Sequence, residues 1–274
     1  MLDISNILTQ NDSTIFYAQT GSNSWQTWNK PRKCNFIWMM CIGGGGSGYG
    51  GSNSAGFNGG GGGGSAGVTR ALFTANLLPD TLYVQPGIAA PTGSGGGISG
   101  TATRSFVSIT PNSALAANLV CTSGTAAAQF NAGETVATAT AANLLNLGVF
   151  VATAGQAGGG QPTALTNTIT CPGAQGGSSS AGAETGLSVL ATPISPRRNG
   201  SSSTSVNGDS GLWFWKPMFG VGGAGGCGST TGTVGSSGGN GIGYGCGGGG
   251  GGSSSAGGGS GGRGGDGLII IATF

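Results

Sequence analysis

The sequence predicts a mostly β fold, in which short β-strands close a sheet or sandwich beside packed polyglycine type II helices, with little or no α-helix. Glycine accounts for 64 of the 274 residues and concentrates in four regions, 43–67, 93–100, 158–177 and 220–267. The segments between them are short, apolar and bounded by Gly, Pro, Asn and Asp, as strands usually are. The best helix candidate is 137–147, where Ala and Leu favour a helix but repeated Thr opposes one.

Two segments are the best strand candidates. Segments 34–42 and 268–274 are apolar on both faces when their residues alternate as in a strand. A strand of this kind needs cover on both sides, so 34–42 is predicted to be a central strand, with the C-terminal segment paired with it or beside it. Weaker strand candidates are 14–20, 68–74, 80–85, 103–109, 148–153 and 167–171.

The glycine runs are predicted to be ordered through their main chain. Fixing the backbone of one residue costs about 1–2 kcal/mol, and glycine loses the most freedom. Since glycine has no side chain to bury, the compensation must come from main-chain hydrogen bonds and from the close approach that a missing Cβ allows. The polyglycine type II helix has three residues per turn and no internal hydrogen bonds, so every N–H and C=O points at a neighbour. Several such helices can therefore bond side by side into a lattice.

Composition excludes a disordered chain, collagen and most hydrolases. Apolar residues make up 36% of the chain and the formal net charge is only +2, so the low-hydrophobicity, high-charge signature of disorder is missing. Collagen would need glycine at every third position and abundant proline, whereas this chain has 10 prolines and an unbroken glycine run at 247–252. The lack of histidine removes the commonest general base and zinc ligand. We therefore predict that the protein is not an enzyme.

The sequence also lacks the motifs for cofactors, metals and nucleic acid. Residues 46–51 satisfy G-x-G-x-x-G, but no helix pattern follows and no acidic residue stands about 20 residues further on. Positive charge gathers at Lys30, Arg32 and Lys33 and at 197–198, which we interpret as solvated turns. We predict no cofactor, no metal site and no nucleic-acid partner. The apolar stretches are also too short for membrane insertion.

The cysteines form no C-x-x-C pair, which argues against a zinc site, and they leave two alternatives open. An even number could form three disulfides, whereas assembly in a reducing bacterial cytoplasm favours free, buried thiols. Asp3 stands where a secretory signal would carry positive charge, so export by a signal peptide is not expected. We expect Cys34 and Cys41 to be reduced. The cysteines are Cys34, Cys41, Cys121, Cys171, Cys227 and Cys246.

The order of features over residues 25–274 resembles the glycine-rich domain of bacteriophage tail-fibre and adhesin proteins. An aromatic and proline lead precedes an apolar strand that runs straight into glycine, and a glycine-flanked apolar strand ends the chain. It is similar in plan to the distal adhesins of T-even-like phages, whose tips are polyglycine sandwiches. The residues that carry the resemblance are Trp25, Trp28, Pro31, 42–51, 82–87, 97–106 and 261–271.

The resemblance implies a virion protein on the external surface of a tail or capsid, synthesised in the host cytoplasm. One hypothesis is a receptor-binding or tail-fibre-tip adhesin that meets a bacterial glycan or outer-membrane protein. The alternative is a structural virion component, a capsid decoration or a tail or fibre joint, that binds other virion proteins. Residues 1–30 are predicted to be a docking arm and 31–274 the glycine-rich domain. No heptad or fibre repeat specifies an oligomer, and a homo-oligomer stays open.

The candidate binding residues lie in the polar-to-aromatic passage 193–219. Arg197, Arg198, Trp213 and Trp215 would suit stacking on sugars or a protein interface, since Trp and Arg dominate such surfaces. The alternative is that the aromatic residues of this passage are buried beneath the glycine layer, which supplies no bulk of its own. The resemblance brings no catalytic residues with it.

Overall fold

The computed structural model describes residues 13–18, 24–53, 59–94, 101–123, 148–153, 155, 179–180, 207–215, 218–226, 228 and 234–274. Within these ranges the protein is mostly β, as predicted, and the helical pieces are two short 3-10 turns at Ala75–Leu77 and Ala116–Asn118. The strands are β1 (Ser13–Tyr17), β2 (Gln26–Asn29), β3 (Phe36–Ile42), β4 (Val68–Thr74), β5 (Thr81–Gln85), β6 (Phe106–Ser108), β7 (Leu119–Thr122), β8 (Gly148–Thr153), β9 (Ser179–Ser180), β10 (Leu212–Trp215), β11 (Met218–Val221) and β12 (Leu268–Thr273).

A five-stranded antiparallel sheet, in the order β1-β12-β3-β4-β8, carries the two strongest sequence predictions. β3 is its central strand and β12 pairs with it directly, with Ile269 opposite Cys41. Both predictions are therefore confirmed. All six residues of β12 are buried, and so are six of the seven residues of β3, because both strands are apolar on both faces.

A four-stranded antiparallel sheet, in the order β2-β5-β6-β7, covers one face of the five-stranded sheet. The shared core combines side chains such as Met39 and Ile269 from one sheet with Leu82 and Val107 from the other. This arrangement is a β-sandwich. At one side Phe73 and Phe150 meet edge to face, with ring centroids 5.3 Å apart.

Cys41 and Cys121 lie in this core on opposite sheets, and both are fully buried. Burial raises the pKa of the Cys41 thiol well above its usual range, and the adjacent Cys121 side chain raises it further. The expected reduced state of Cys34 and Cys41 is confirmed, since neither forms a disulfide, and Cys121 forms none either. Cys171 and Cys227 lie outside the described residues.

The weaker strand predictions are confirmed for β1, β4, β5 and β8, with small shifts of the ends. β6 begins only at Phe106, because Thr103 and Ser105 bond the glycine-rich segments instead. The Ser105 hydroxyl, for example, donates to the Ile42 carbonyl and accepts from the Gly87 amide. The predicted strand at 167–171 and the helix candidate at 137–147 fall outside the described residues.

Two described parts of the predicted docking arm belong to the sheets. β1 pairs with β12, and β2 pairs with β5. Residues 1–12 lie outside the described residues, so a docking role for this arm stays a prediction.

Several strands of the sandwich continue directly into extended glycine-rich segments, here called glycine rods. β3 leads into the rod at 44–51, the rod at 59–66 leads into β4, and the rod at 257–267 leads into β12. The sandwich and the rods are therefore built from the same continuous chain segments. In the described part of the chain, no helix has the length and apolar character needed to cross a bilayer.

Candidate functional site

The glycine rods pack around one central rod, residues 245–252, all of which are buried. Its amides and carbonyls bond neighbouring rods on several sides, and the distances are those of ordinary N–H···O bonds. The Gly248 amide donates to Gly46 and the Gly249 amide to Gly239, both at 2.9 Å. The neighbouring rods are 44–51, 59–66, 222–226, 234–241 and 257–267.

The bonds between rods repeat every third residue. Gly45, Gly48 and Gly51 donate to the carbonyls of the antiparallel rod 257–267, at 2.8 to 2.9 Å. A three-residue period, with bonds between rods, is the geometry of packed polyglycine type II helices. This part of the predicted fold is confirmed.

Close packing explains why the rods contain glycine. A Cβ added at Gly249 would overlap the carbonyl oxygen of Ala224, and one added at Gly250 would overlap that of Gly60. Both would lie well inside 3.0 Å, a separation that real Cβ atoms essentially never show. Because the obstructing atoms belong to the main chain, they cannot turn aside as a side chain would.

Two paired strands rich in aromatic residues, β10 and β11, are mounted on this lattice and are here called the aromatic hairpin. β10 and β11 pair antiparallel, and Ser179–Ser180 adds a short third strand. The rods 207–211 and 222–226 flank the hairpin in sequence, and both are bonded into the lattice. The Gly211 amide donates to the Asn240 carbonyl at 2.6 Å, and the Gly223 amide donates to the Gly247 carbonyl at 3.0 Å. The lattice therefore fixes both ends of the hairpin.

Two of the four candidate binding residues lie on this hairpin. Trp213 is paired with Gly220, and Trp215 with Met218, two positions apart on one strand. Arg197 and Arg198 lie outside the described residues. The structure therefore places Trp213 and Trp215 on a lattice-mounted hairpin, and the association of the two arginines with them stays a prediction.

A polar cluster that the sequence did not reveal joins the lattice to the sandwich. Asp266 accepts a hydrogen bond from the Ala89 amide at 2.9 Å and forms an ion pair with Arg263 at 2.6 Å. Tyr244 lies against Tyr17, with ring centroids 5.9 Å apart. Burial raises the pKa of Tyr244, and the nearby Tyr17 and Asp266 raise it further. Two features of the sequence pointed to this cluster, the place of Asp266 between glycines just before the last strand and its i,i+3 spacing from Arg263.

The fold and the lattice define a class of protein, a β-sandwich extended by packed polyglycine helices that present a hairpin and loops. A family model described as a glycine-rich domain matches residues 19–273, and the chain belongs to this family. No curated protein matches the sequence. The glycine-rich-domain part of the resemblance is thus confirmed.

Proposed function

We propose that this chain is a non-enzymatic bacteriophage virion protein, a receptor-binding or tail-fibre-tip adhesin built on a polyglycine scaffold. The observation that carries the proposal is the buried central rod 245–252, which is bonded to its neighbours through the main chain. Main-chain bonds between rods do not depend on the side chains of the connecting segments. Such a scaffold suits an adhesin, whose displayed segments must change while the framework stays the same.

The aromatic hairpin formed by β10 and β11 is the proposed receptor-binding element. Its two flanking rods hold both ends, so the hairpin is presented without a large ordering cost on binding. Trp213, Trp215, Arg197 and Arg198 are the proposed binding residues, since Trp and Arg dominate glycan-binding surfaces and protein hot spots. The receptor is a glycan or an outer-membrane protein of the host bacterium.

The lack of disulfides at the described core cysteines supports synthesis in the host cytoplasm, and a place on the external surface of the virion is proposed from the resemblance alone. Cys41 and Cys121 are buried and form no disulfide, as expected for a chain that folds in a reducing compartment.

The test measures adsorption of the purified full chain to bacteria and its ability to block phage infection. Trp213→Ala, Trp215→Ala, Arg197→Ala and Arg198→Ala are each expected to weaken adsorption by roughly tenfold or more, as truncation of a hot-spot residue does. Leu115→Ala is the matched control, because Leu115 is 70% exposed in the β6–β7 loop, which is not part of the hairpin. Its adsorption should not change.

The alternative, a purely structural virion component, is favoured by exposed apolar side chains at the end of the sandwich away from the lattice. Phe36, Leu77 and Leu115 are 45%, 44% and 70% exposed there. The contrary result is a purified chain that fails to adsorb to bacteria but binds phage particles that lack it, with the Trp213 and Trp215 variants binding those particles equally well. That result would show that the adhesin proposal is wrong, and the structural role would replace it.

A further inference from the structure

A basic groove lies at the end of the sandwich opposite the lattice. It is an open depression of about 500 Å³ between two stretches, 29–34 and 75–81. The first stretch joins β2 to β3, and the second joins β4 to β5. The groove contains three cations and one carboxylate, so its net charge of +2 equals the formal net charge of the whole chain.

Lys30 fixes the two walls of the groove to each other. Its ammonium group donates to the carbonyls of Ala75 at 3.0 Å and Leu78 at 2.7 Å, and it pairs with Asp80 at 3.0 Å. The Lys30 amide also donates to the Asp80 carbonyl at 2.7 Å. The Lys30 side chain is only 16% exposed, so its charge is used to hold the walls. The groove is thus formed before any ligand arrives.

Arg32 and Lys33 form the exposed rim, and neither has an ion-pair or hydrogen-bond partner among the described residues. Lys33 also has a φ of +70°, in the left-handed region where Gly or Asn is preferred. Lys33 therefore has an unfavourable backbone conformation for a lysine. Backbone outliers of this kind cluster at active sites and ligand clamps.

The lining identifies the kind of ligand. The ten lining residues include no aromatic ring on which a sugar or a base could stack, but they include the amides of Asn29 and Asn76, which can bond peptide groups. Two exposed apolar side chains lie close to the lining residues in sequence, Phe36 two positions after Cys34 and Leu77 directly after Asn76. The positive rim, the amide groups of the lining and the apolar side chains beside it together match a peptide in which acidic and apolar residues alternate.

We propose that this groove binds an acidic peptide segment of a partner protein, with Arg32 and Lys33 recognising its carboxylates. The proposal does not depend on the adhesin proposal, because the groove and the hairpin use different residues. The arginine at the rim suits bidentate recognition of a carboxylate.

The experiment measures fluorescence anisotropy of a labelled Glu-Leu-Glu-Leu-Glu-Leu peptide with the purified full chain at low salt. We expect saturable binding with a Kd below about 1 mM, weakening as salt is added. Arg32→Gln and Lys33→Asn should each weaken binding at least fivefold, and Lys33→Arg should retain it. Lys33→Asn keeps a residue that tolerates the left-handed backbone, so its melting temperature should not fall.

Three controls make the outcome decisive. Arg104→Gln removes one positive charge outside the groove and should leave binding unchanged. A Gln-Leu-Gln-Leu-Gln-Leu peptide should not bind. Binding that is absent, that survives Arg32→Gln and Lys33→Asn, or that is tighter for heparin or polyphosphate than for the acidic peptide would overturn the proposal.

Discussion

The sandwich and the lattice are stabilised in opposite ways, although the same chain segments run through both. In the sandwich, large side chains such as Phe73 and Met39 fill the space between two sheets. In the lattice, the central rod 245–252 is equally buried, but its neighbours are main-chain atoms. Removing atoms should therefore damage the sandwich, whereas adding atoms should damage the lattice.

The largest expected effect that tests this comparison is the protection of lattice amides from hydrogen exchange. The amides of Gly248, Gly249 and Gly251 bond buried neighbours, so they should exchange roughly 1,000-fold or more slowly than those of an unstructured peptide. Amides of β3 should be protected to a similar degree. The exposed loop 111–117 is the internal control and should exchange quickly. Fast exchange in the central rod would mean that the lattice is not a stable unit.

The next largest effect is the loss of stability when a side chain is added to a lattice glycine. Gly249→Val places its Cβ against the Ala224 carbonyl and should lower the free energy of unfolding by about 4 kcal/mol or more, measured by urea denaturation. Ser237→Val is the matched control, because Ser237 lies in a neighbouring rod, already carries a Cβ and is partly exposed. It should cost less than about 1 kcal/mol. Equal losses for the two variants would contradict close packing as the reason for glycine.

A third pair of variants deletes atoms in each region. Ile269→Ala leaves a cavity at a fully buried position in the sandwich and should lower the free energy of unfolding by about 2–5 kcal/mol. Ala224→Gly removes the Cβ from a fully buried lattice residue and should cost at most about 1 kcal/mol, because the main-chain bonds of that rod remain. Thermal and urea unfolding of the two variants measure the difference. A lattice variant as destabilised as the sandwich variant would show that side chains matter equally in both.

The smallest expected effect concerns the boundary between the two regions. Asp266→Ala removes the acceptor of the Ala89 amide together with the ion pair to Arg263, and it should lower the free energy of unfolding by about 1–2 kcal/mol. Arg263→Gln breaks only a partly exposed ion pair and should cost less than about 1 kcal/mol. Equal losses for the two variants, again measured by urea denaturation, would mean that the ion pair and not the amide bond holds this junction, since Asp266→Ala breaks both interactions.

The sequence predicted those parts of the fold that depend on local pattern. β3 and β12 were identified because both are apolar on both faces, and the rods because glycine without side chains must bond through its main chain. β2, β7, β10 and β11 were missed, since a strand of four residues gives too short an alternation of side chains to recognise. Which rod neighbours which could not be predicted, because nearly identical glycine sequences do not distinguish one partner from another.

The candidate sites could likewise be predicted only where they depend on local sequence. Trp213 and Trp215 were selected by residue type alone, and the lattice-bound rods that hold their hairpin come from its two flanks in sequence. The basic groove was interpreted as a solvated turn, because its second wall, 75–81, is distant in sequence from Lys30. Only the folded chain brings the Lys30 ammonium to the carbonyls of that wall.

The direct passage of β3 into the rod at 44–51 has a consequence for how such a protein can change in length. A strand rises about 3.3 Å per residue and a polyglycine helix about 3.1 Å, so the rise per residue changes little where the strand continues into the rod. Inserting three residues in a rod adds one full turn and leaves the outward direction of every later amide unaltered. Inserting one residue rotates them all by a third of a turn. Insertions of three residues are therefore the changes by which the rods of this domain can lengthen during evolution while their hydrogen-bonding directions are preserved.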